Sequence, residues 1–377
     1  MDYRKLKEEV IRYSKEIGID KIGFASTDPF SEMKNRLIRQ EELGYQSGFE
    51  EKDIEKRVHP DLIFSQPRSI ISIAVAYPSK MKETPKGKRG ERRGIFCRAS
   101  WGQDYHDVLR DKLELLAAFL EKEAENARFK LMVDTGELVD RAVAQRAGIG
   151  WSGKNCSIIT PEFGSYVYLG ELITNLPFEP DEPIGDQCGD CTLCLDVCPT
   201  GALVQGGQLN AQRCISFLTQ TKGYLPDEFR GVLGNRLYGC DTCQTVCPKN
   251  KGMDFHLHPE LEPEPEDAKP LLQPILQISN REFKERFGKM SGSWRGKKPI
   301  QRNAIIALAH FKEASAVPEL IEVMNHDARP VIRGTAAWAI GKIGGVGAEE
   351  AILEALAREE DIGVQEEMEK GLALLKQ

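Results

Sequence analysis

Cysteine placement constrains this chain more than any other feature. Eight of its ten cysteines fall between positions 188 and 247 of 377 residues. Cys188, Cys191, Cys194 and Cys198 stand at gaps of two, two and three residues with Pro199 next, the run by which bacterial ferredoxins wrap a cubane iron-sulfur cluster. A second run, Cys240, Cys243 and Cys247 with Pro248, is one cysteine short, and Cys214 stands upstream as the replacement. Eight thiolates make two [4Fe-4S] clusters. In two-cluster ferredoxins the fourth cysteine of each run ligates the other cluster, so Cys188, Cys191, Cys194 and Cys247 are expected on one, and Cys198, Cys214, Cys240 and Cys243 on the other. Zinc fits less well, because its sites rarely use three cysteines at two-residue gaps followed by Cys-Pro.

Clusters of this kind relay single electrons, so the substrate chemistry belongs elsewhere in the chain. The charge balance, 51 Lys and Arg against 58 Asp and Glu, gives −7 and excludes a globally basic coat. The N-terminal segment is charged and amphipathic, with Leu6, Val10, Ile11 and Ile17 at roughly helical spacing, and no run of about 18 apolar residues occurs. With so long a chain and no secretory signal, the cysteines read as metal ligands in a reducing cytoplasm, not as a disulfide scaffold.

The expected architecture is α+β and multi-domain. Residues 1–180 form a mixed α/β domain, with a strand over Ser69–Tyr77, a helix over Asp107–Ala127 and a strand over Phe129–Val133 that ends at Asp134. Within it, Lys80–Arg93 carries seven basic and two acidic residues, and reads equally as a solvated loop or a phosphate contact. Residues 181–255 form the ferredoxin-like two-cluster domain, and 256–279, rich in Pro and Glu, a linker or surface crossing. In residues 280–377, Ile300–Ala309 and Val331–Ile340 repeat at a shift of 31 positions, with Val364–Leu375 as a frayed third copy. Paired amphipathic helices with small contact residues and a shared Arg resemble HEAT-type repeats.

Three further stretches carry a family resemblance: Trp101–His106 (WGQDYH), Ala147–Asn155 (AGIGWSGKN) and Gly164–Leu172 (GSYVYLGEL). With the double cluster run and the helical repeats, the chain resembles the bacterial epoxyqueuosine reductases along essentially its full length. The resemblance implies an enzyme, with cobalamin as a cofactor beside the two clusters, related in its core to corrinoid reductive dehalogenases. It would remove the epoxide oxygen from epoxyqueuosine at the wobble position of a tRNA to give queuosine, the last step of that modification. Asp134 would be the catalytic acid, with a pKa raised by burial beside the corrin. Arg57, Cys97, Asp134, Ile158, Leu169 and Ser216, with Gly239 and Asp241 of the cluster-side segment, would neighbour the corrin. Cys97 departs from the family pattern, where Ser is common. His106 reads as a structural hydrogen-bonding residue, not a cobalt ligand. The resemblance also implies a low-potential electron donor, a cytoplasmic monomer and no membrane contact.

From Asn280 to Arg302 the chain holds eight basic residues against two acidic ones, with Phe283 and Trp294 among them. This density suits phosphate binding with stacking on an unpaired base. Asn280, Arg281, Lys284, Arg295, Lys297 and Lys298 are the expected contacts to an anticodon stem-loop with a GUN anticodon, and Gln220 and Lys222 would line the entrance for the wobble base. Two other functions suit the same cysteines: a corrinoid reductase of a small molecule such as an organohalide, and an electron-transfer protein that docks a partner through its repeats.

Overall fold

In the computed structural model, which describes residues 1–376, the chain forms two compact units that interleave along the sequence. The first comprises Met1–Lys80, Gln103–Cys214 and Asp241–Glu262; the second comprises Met81–Gly102, Ile215–Cys240 and the chain from Pro263 onward. No helix among the described residues is long and apolar enough to cross a membrane.

The first unit is built on a four-stranded antiparallel sheet: β1 (Lys21–Ala25), β2 (Ser69–Ala76), β3 (Phe129–Met132) and β4 (Val167–Thr174), in spatial order β1-β2-β4-β3. All eight residues of β2 are buried, because the strand is central and covered on both faces. On one face lies α2 (Tyr105–Glu123), whose buried Leu109 and Leu113 pack over Gly170, while α1 (Tyr3–Glu16) buries Leu6 and Val10. On the other face α3 (Asp140–Arg146) sets Val143 and Ala144 in one apolar cluster with Ile70, Ala74, Val167 and Ile173. A Cβ on Gly23 of β1 would fall 2.0 Å from the Ala147 carbonyl, so the end of α3 and the strand meet at backbone contact only because that residue is glycine.

Two sequence boundaries shift. Helix α2 starts at Tyr105 because the Asp104 side chain caps the His106 N–H, and strand β3 stops at Met132, where its pairing with Glu171 ends. The cysteine segment contains two four-residue helices, Leu193–Asp196 and Thr242–Thr245, which pack on one another.

The second unit is mainly helical: α4 (Asn280–Phe287), α5 (Lys297–His310), α6 (Val317–His326), α7 (Pro330–Ile343), α8 (Ala348–Leu356) and α9 (Ile362–Leu375). Helices α5, α7 and α9 contain the three repeated segments. α7 and α9 cross at Gly341 and Gly371, where a Cβ on Gly341 would lie 2.2 Å from the Gly371 carbonyl oxygen. The repeated arginine has two fates. Arg333 pairs with Glu359 at 2.8 Å, whereas Arg302 is 1% exposed and donates to the carbonyls of Leu218, Thr221 and Gly223. Its neighbour Asn303 donates to Thr219 and Leu237 carbonyls, so α5 pins the segment 218–223 through backbone oxygens. The stretch 256–279 is not an extended tether: it coils into short helices whose Leu261, Ala268, Leu272, Ile275 and Leu276 are buried.

Candidate functional site: an acid centre and a cysteine cage

Asp134 follows β3 in a backbone conformation that side chains rarely adopt, φ +52°. It sits on the wall of a cavity of about 630 Å³ lined by Phe49–Lys52, Arg110 and Lys130–Glu137, within the first unit. The Asp134 side chain is 60% exposed. Lys130 and Glu137, paired at 2.6 Å, bracket the loop that carries it.

His106, on the first turn of α2, faces this carboxyl. Its Nδ1 lies 2.7 Å from Asp104 Oδ1, and its Nε2 lies 3.4 Å from Asp134 Oδ2, close enough for an ion pair but without hydrogen-bond alignment. Burial alone would push the imidazole down; the Asp104 and Asp134 carboxylates outweigh it and raise His106 to about 9. The same contact with His106, aided by the Tyr105 hydroxyl against the effect of burial, holds Asp134 below its ordinary value. This reverses the raised pKa expected of Asp134. At neutral pH the proton of the pair rests on His106, as an imidazolium between two carboxylates. Tyr105 is fixed in turn by stacking on Tyr168 at 4.5 Å and 4°.

Behind the loop are two more carboxyls that the motifs did not single out. Asp140, first residue of α3, and Glu171, at the centre of β4, both titrate above their ordinary range, because of burial and then the neighbouring carboxylates. Arg57 has Glu50, Arg141 and Asp140 as charged neighbours, and burial lowers its pKa. Ile158 and Leu169 belong to the apolar layer under α3. A glutamate inside VYLGELIT, an otherwise uncharged strand, was the available sign of an interior acid.

The first proposed ligand set comes together. Cys188, Cys191, Cys194 and Cys247 line one small cavity, closed by Lys154, Asn155 and Lys249. Burial raises Cys194 and Cys247, and nearby thiols raise both further; backbone N–H groups of Lys249 and Asn250 point at the Cys247 sulfur. Cys198, of the second set, is held below its ordinary value: burial opposes this, but the N–H groups of Leu203, Thr200 and Ala202 outweigh it. Convergent thiols with amide donors at sulfur suit iron-sulfur ligation. Cys214 and Cys243 lie in the same unit as Cys198, and Cys240 ends the segment just before Asp241.

In the second unit, Cys97 and Gly239 touch. A Cβ on Gly239, whose φ is +71°, would lie 2.2 Å from the Cys97 sulfur, and the Gly239 N–H donates to Thr219 Oγ1 at 2.9 Å. Thr219 donates to the Ser216 carbonyl, so Cys97, Gly239 and Ser216, three residues expected beside the corrin, are linked.

The basic stretch is less available than its composition suggests. Arg302 is interior, Phe283 is buried, Arg281 pairs with Glu285, and Lys297 donates to the Ile278 carbonyl at 2.8 Å. Arg295 donates to the Gln220 carbonyl, and the Trp294 indole donates to the Gln220 side chain, although Trp294 stays 51% exposed. Asn280 and Lys222 are at the surface, and Lys284 and Lys298 have no acidic partner among the described residues. In the Lys80–Arg93 loop, Arg92 pairs with Glu313, Arg93 with Glu266 and Lys88 with Glu91.

An ion-paired acid over a cavity, with a cysteine cage in the same unit, suits a proton-coupled reduction. Three family models match: a 4Fe-4S double cluster binding domain over residues 187–250, epoxyqueuosine reductase QueG, DUF1730, over 57–135, and HEAT repeats over 295–373. The epoxyqueuosine reductase of Bacillus anthracis is 71% identical over 377 residues, covering 100% of this chain and 99% of the relative. A crystal structure of epoxyqueuosine reductase with a tRNA-Tyr epoxyqueuosine-modified stem loop is 70% identical, covers both chains fully and superposes with a TM-score of 0.98. The Bacillus subtilis epoxyqueuosine reductase, solved with its Asp134 catalytic loop swung out of the active site, is 69% identical at a TM-score of 0.97, covering 99% of this chain and 100% of its own. This chain belongs to the epoxyqueuosine reductase family.

Proposed function

We propose that this chain reduces epoxyqueuosine in tRNA to queuosine with two [4Fe-4S] clusters and cobalamin, and that Asp134 protonates the departing oxygen. Removing an epoxide oxygen to leave an alkene consumes two electrons and two protons and releases one water. When bound, the clusters supply single electrons at low potential and cobalamin supplies a reducible cobalt centre for opening the carbon–oxygen bond. The lining at Asp134 suits such a cofactor chemically: charged side chains that can hydrogen-bond the amide arms of a corrin stand beside the apolar Phe49, Leu131, Met132 and Val133. Within the first unit, Arg57, Asp134, Ile158, Leu169 and Asp241 would hold it.

The observation that carries the acid role is the Asp104–His106–Asp134 chain. Asp104 fixes the imidazole through Nδ1, and Nε2 holds a proton against Asp134 Oδ2. As negative charge develops on the epoxide oxygen, the Asp134 carboxylate takes the proton from His106 and passes it on to that oxygen. Tyr105 donates to the carboxylate that remains. The unpaired wobble base of a stem-loop can enter such a pocket without melting a helix. Lys222, Lys284 and Lys298, which have no acidic partner among the described residues, would meet the phosphates, and Trp294 offers a stacking surface. An undetermined low-potential donor would feed the clusters of a cytoplasmic enzyme.

Reconstituted protein, reduced anaerobically and given epoxyqueuosine-containing tRNA, should form queuosine measurable by nucleoside mass spectrometry. Asp134→Ala should keep its clusters and cobalamin and lose turnover by about 10²–10⁴-fold. Full activity in that variant removes Asp134 from the mechanism.

A further inference from the structure

Reduction of the epoxide needs two protons, and the His106–Asp134 pair accounts for one. The chain holds a second acid that the mechanism above leaves unused. Glu171 is 0% exposed at the centre of β4, and neither carboxyl oxygen has a hydrogen-bond partner. Its flanking residues in the sheet are Ser72 of β2, whose hydroxyl is also unpartnered, and Met132 of β3, two residues before Asp134. An ionised carboxylate there would be uncompensated, because no cation lies against it, so the neutral acid is the stable form. Two acidic groups face it: Asp140 from α3 and Asp134 from the loop after β3. Beyond Asp140 stand Arg141 and Arg57, and Lys130 of β3 is occupied by Glu137.

Asp140 is an electrostatic neighbour of both Glu171 and Asp134. Solvent reaches part of the residue, yet its carboxyl is enclosed and faces the Asp134 backbone N–H and its own. Resting on the reading of this chain as an epoxyqueuosine reductase, we propose that Glu171 is a buried proton store which, through Asp140, recharges Asp134 for the second protonation of each turnover. The balance is simple. Glu171 loses a proton and Asp140 gains one; Asp140 passes its own to the Asp134 carboxylate; the strongly basic oxygen leaving the substrate draws it off as water. Solvent then restores the store by way of Asp140. Glu171 touches no substrate and acts only through Asp134, so it is a positioning residue.

Two measurements test this. Infrared difference spectra of the wild-type protein at neutral pH should show the carbonyl band of a protonated, weakly hydrogen-bonded carboxylic acid, shifted in heavy water and lost in Glu171→Gln. The same variant should load clusters and cobalamin and keep its KM for tRNA, while kcat falls at least about tenfold and its pH profile loses the alkaline limb set by the store. Absence of the band overturns the proposal, as does a kcat within twofold of wild type, or a slower variant whose pH profile is unchanged. Labelling the glutamates with carbon-13 shifts the band if it is Glu171 and leaves it in place if it is Asp140, so misfolding of Glu171→Gln leaves the test intact. If wild-type protein makes no queuosine, the functional reading fails, and the band separately shows whether the acid is stored.

Discussion

Arg302 in the repeat unit and Glu171 in the sheet unit are both ionisable side chains cut off from water, at 1% and 0% exposure, and the protein around them treats them in opposite ways. The Arg302 guanidinium meets three backbone carbonyls and the Asn303 side chain, all at 3.2 Å or less. Burial lowers its pKa to about 10, so it stays charged at neutral pH. Glu171 meets nothing. A satisfied buried charge is architecture: it ties α5 to the segment holding Gln220 and Lys222. An unsatisfied one beside an active site needs another explanation, and proton storage supplies it.

The largest effect follows from removing the satisfied member. Arg302→Ala takes the donor from the Thr221 and Gly223 carbonyls, while the Leu218 carbonyl keeps the Thr221 hydroxyl; at about 1–3 kcal/mol for each orphaned acceptor, the urea midpoint should drop by the equivalent of roughly 2 kcal/mol or more. Glu171→Gln should leave it within about 1 kcal/mol of wild type or raise it, since an amide is buried without the proton that a carboxyl must take up on folding at neutral pH. Equal losses in the two variants would erase the distinction between them.

His106 lies between these extremes, and its pH dependence separates stability from chemistry. Its folded value, about 9, exceeds the ordinary 6.5, so its stabilisation is complete below about pH 6.5 and is lost as pH rises through 9. Asp134 runs the other way: its value is lowered, so its share is present at neutral pH and lost in acid. The loop should therefore be best ordered between the two limits. Activity should fall on the alkaline side as the imidazolium is lost, and His106→Gln should remove that part of the dependence together with most of the rate. A His106→Gln enzyme with wild-type kcat at neutral pH would leave Asp134 to find its proton elsewhere, and Glu171 would be the first place to look.

These contrasts also explain what could be read in the residues beforehand. The cysteine run carries its own geometry, since gaps of two and three residues put thiols on one short turn, and Cys247 crossing to join Cys188, Cys191 and Cys194 is what that pattern implies. The 31-residue repeat likewise marks α5 and α7 in the sequence alone. The protonation of the acid centre was not legible, because it depends on the 3.4 Å approach of His106 and Asp134 from elements 28 positions apart in sequence. Nor was the fate of the basic stretch. Composition counts charges, and only packing shows which are already occupied: the Arg at equivalent places in two repeats is interior in one copy and paired with a glutamate in the other.

The smallest expected effect makes the same distinction at the surface, between neighbours in sequence. Lys297 spends its ammonium on the Ile278 carbonyl at 2.8 Å, and burial lowers its pKa; Lys298, next to it, has no partner among the described residues. If Lys298 meets a phosphate, Lys298→Met should weaken stem-loop binding and reduce the slope of log affinity against log salt by about 1, as loss of one counterion-releasing contact requires. Lys284→Met on α4 should do the same. Lys297→Met removes an identical formal charge but one already committed to the fold, so the slope should stay near its wild-type value while the stability of α5 falls slightly. Filter binding over a series of salt concentrations measures all three. A slope change as large for Lys297 as for Lys298 would mean that the backbone carbonyl yields its lysine to RNA, and the boundary between occupied and available charge would then lie in the complex rather than in the folded chain.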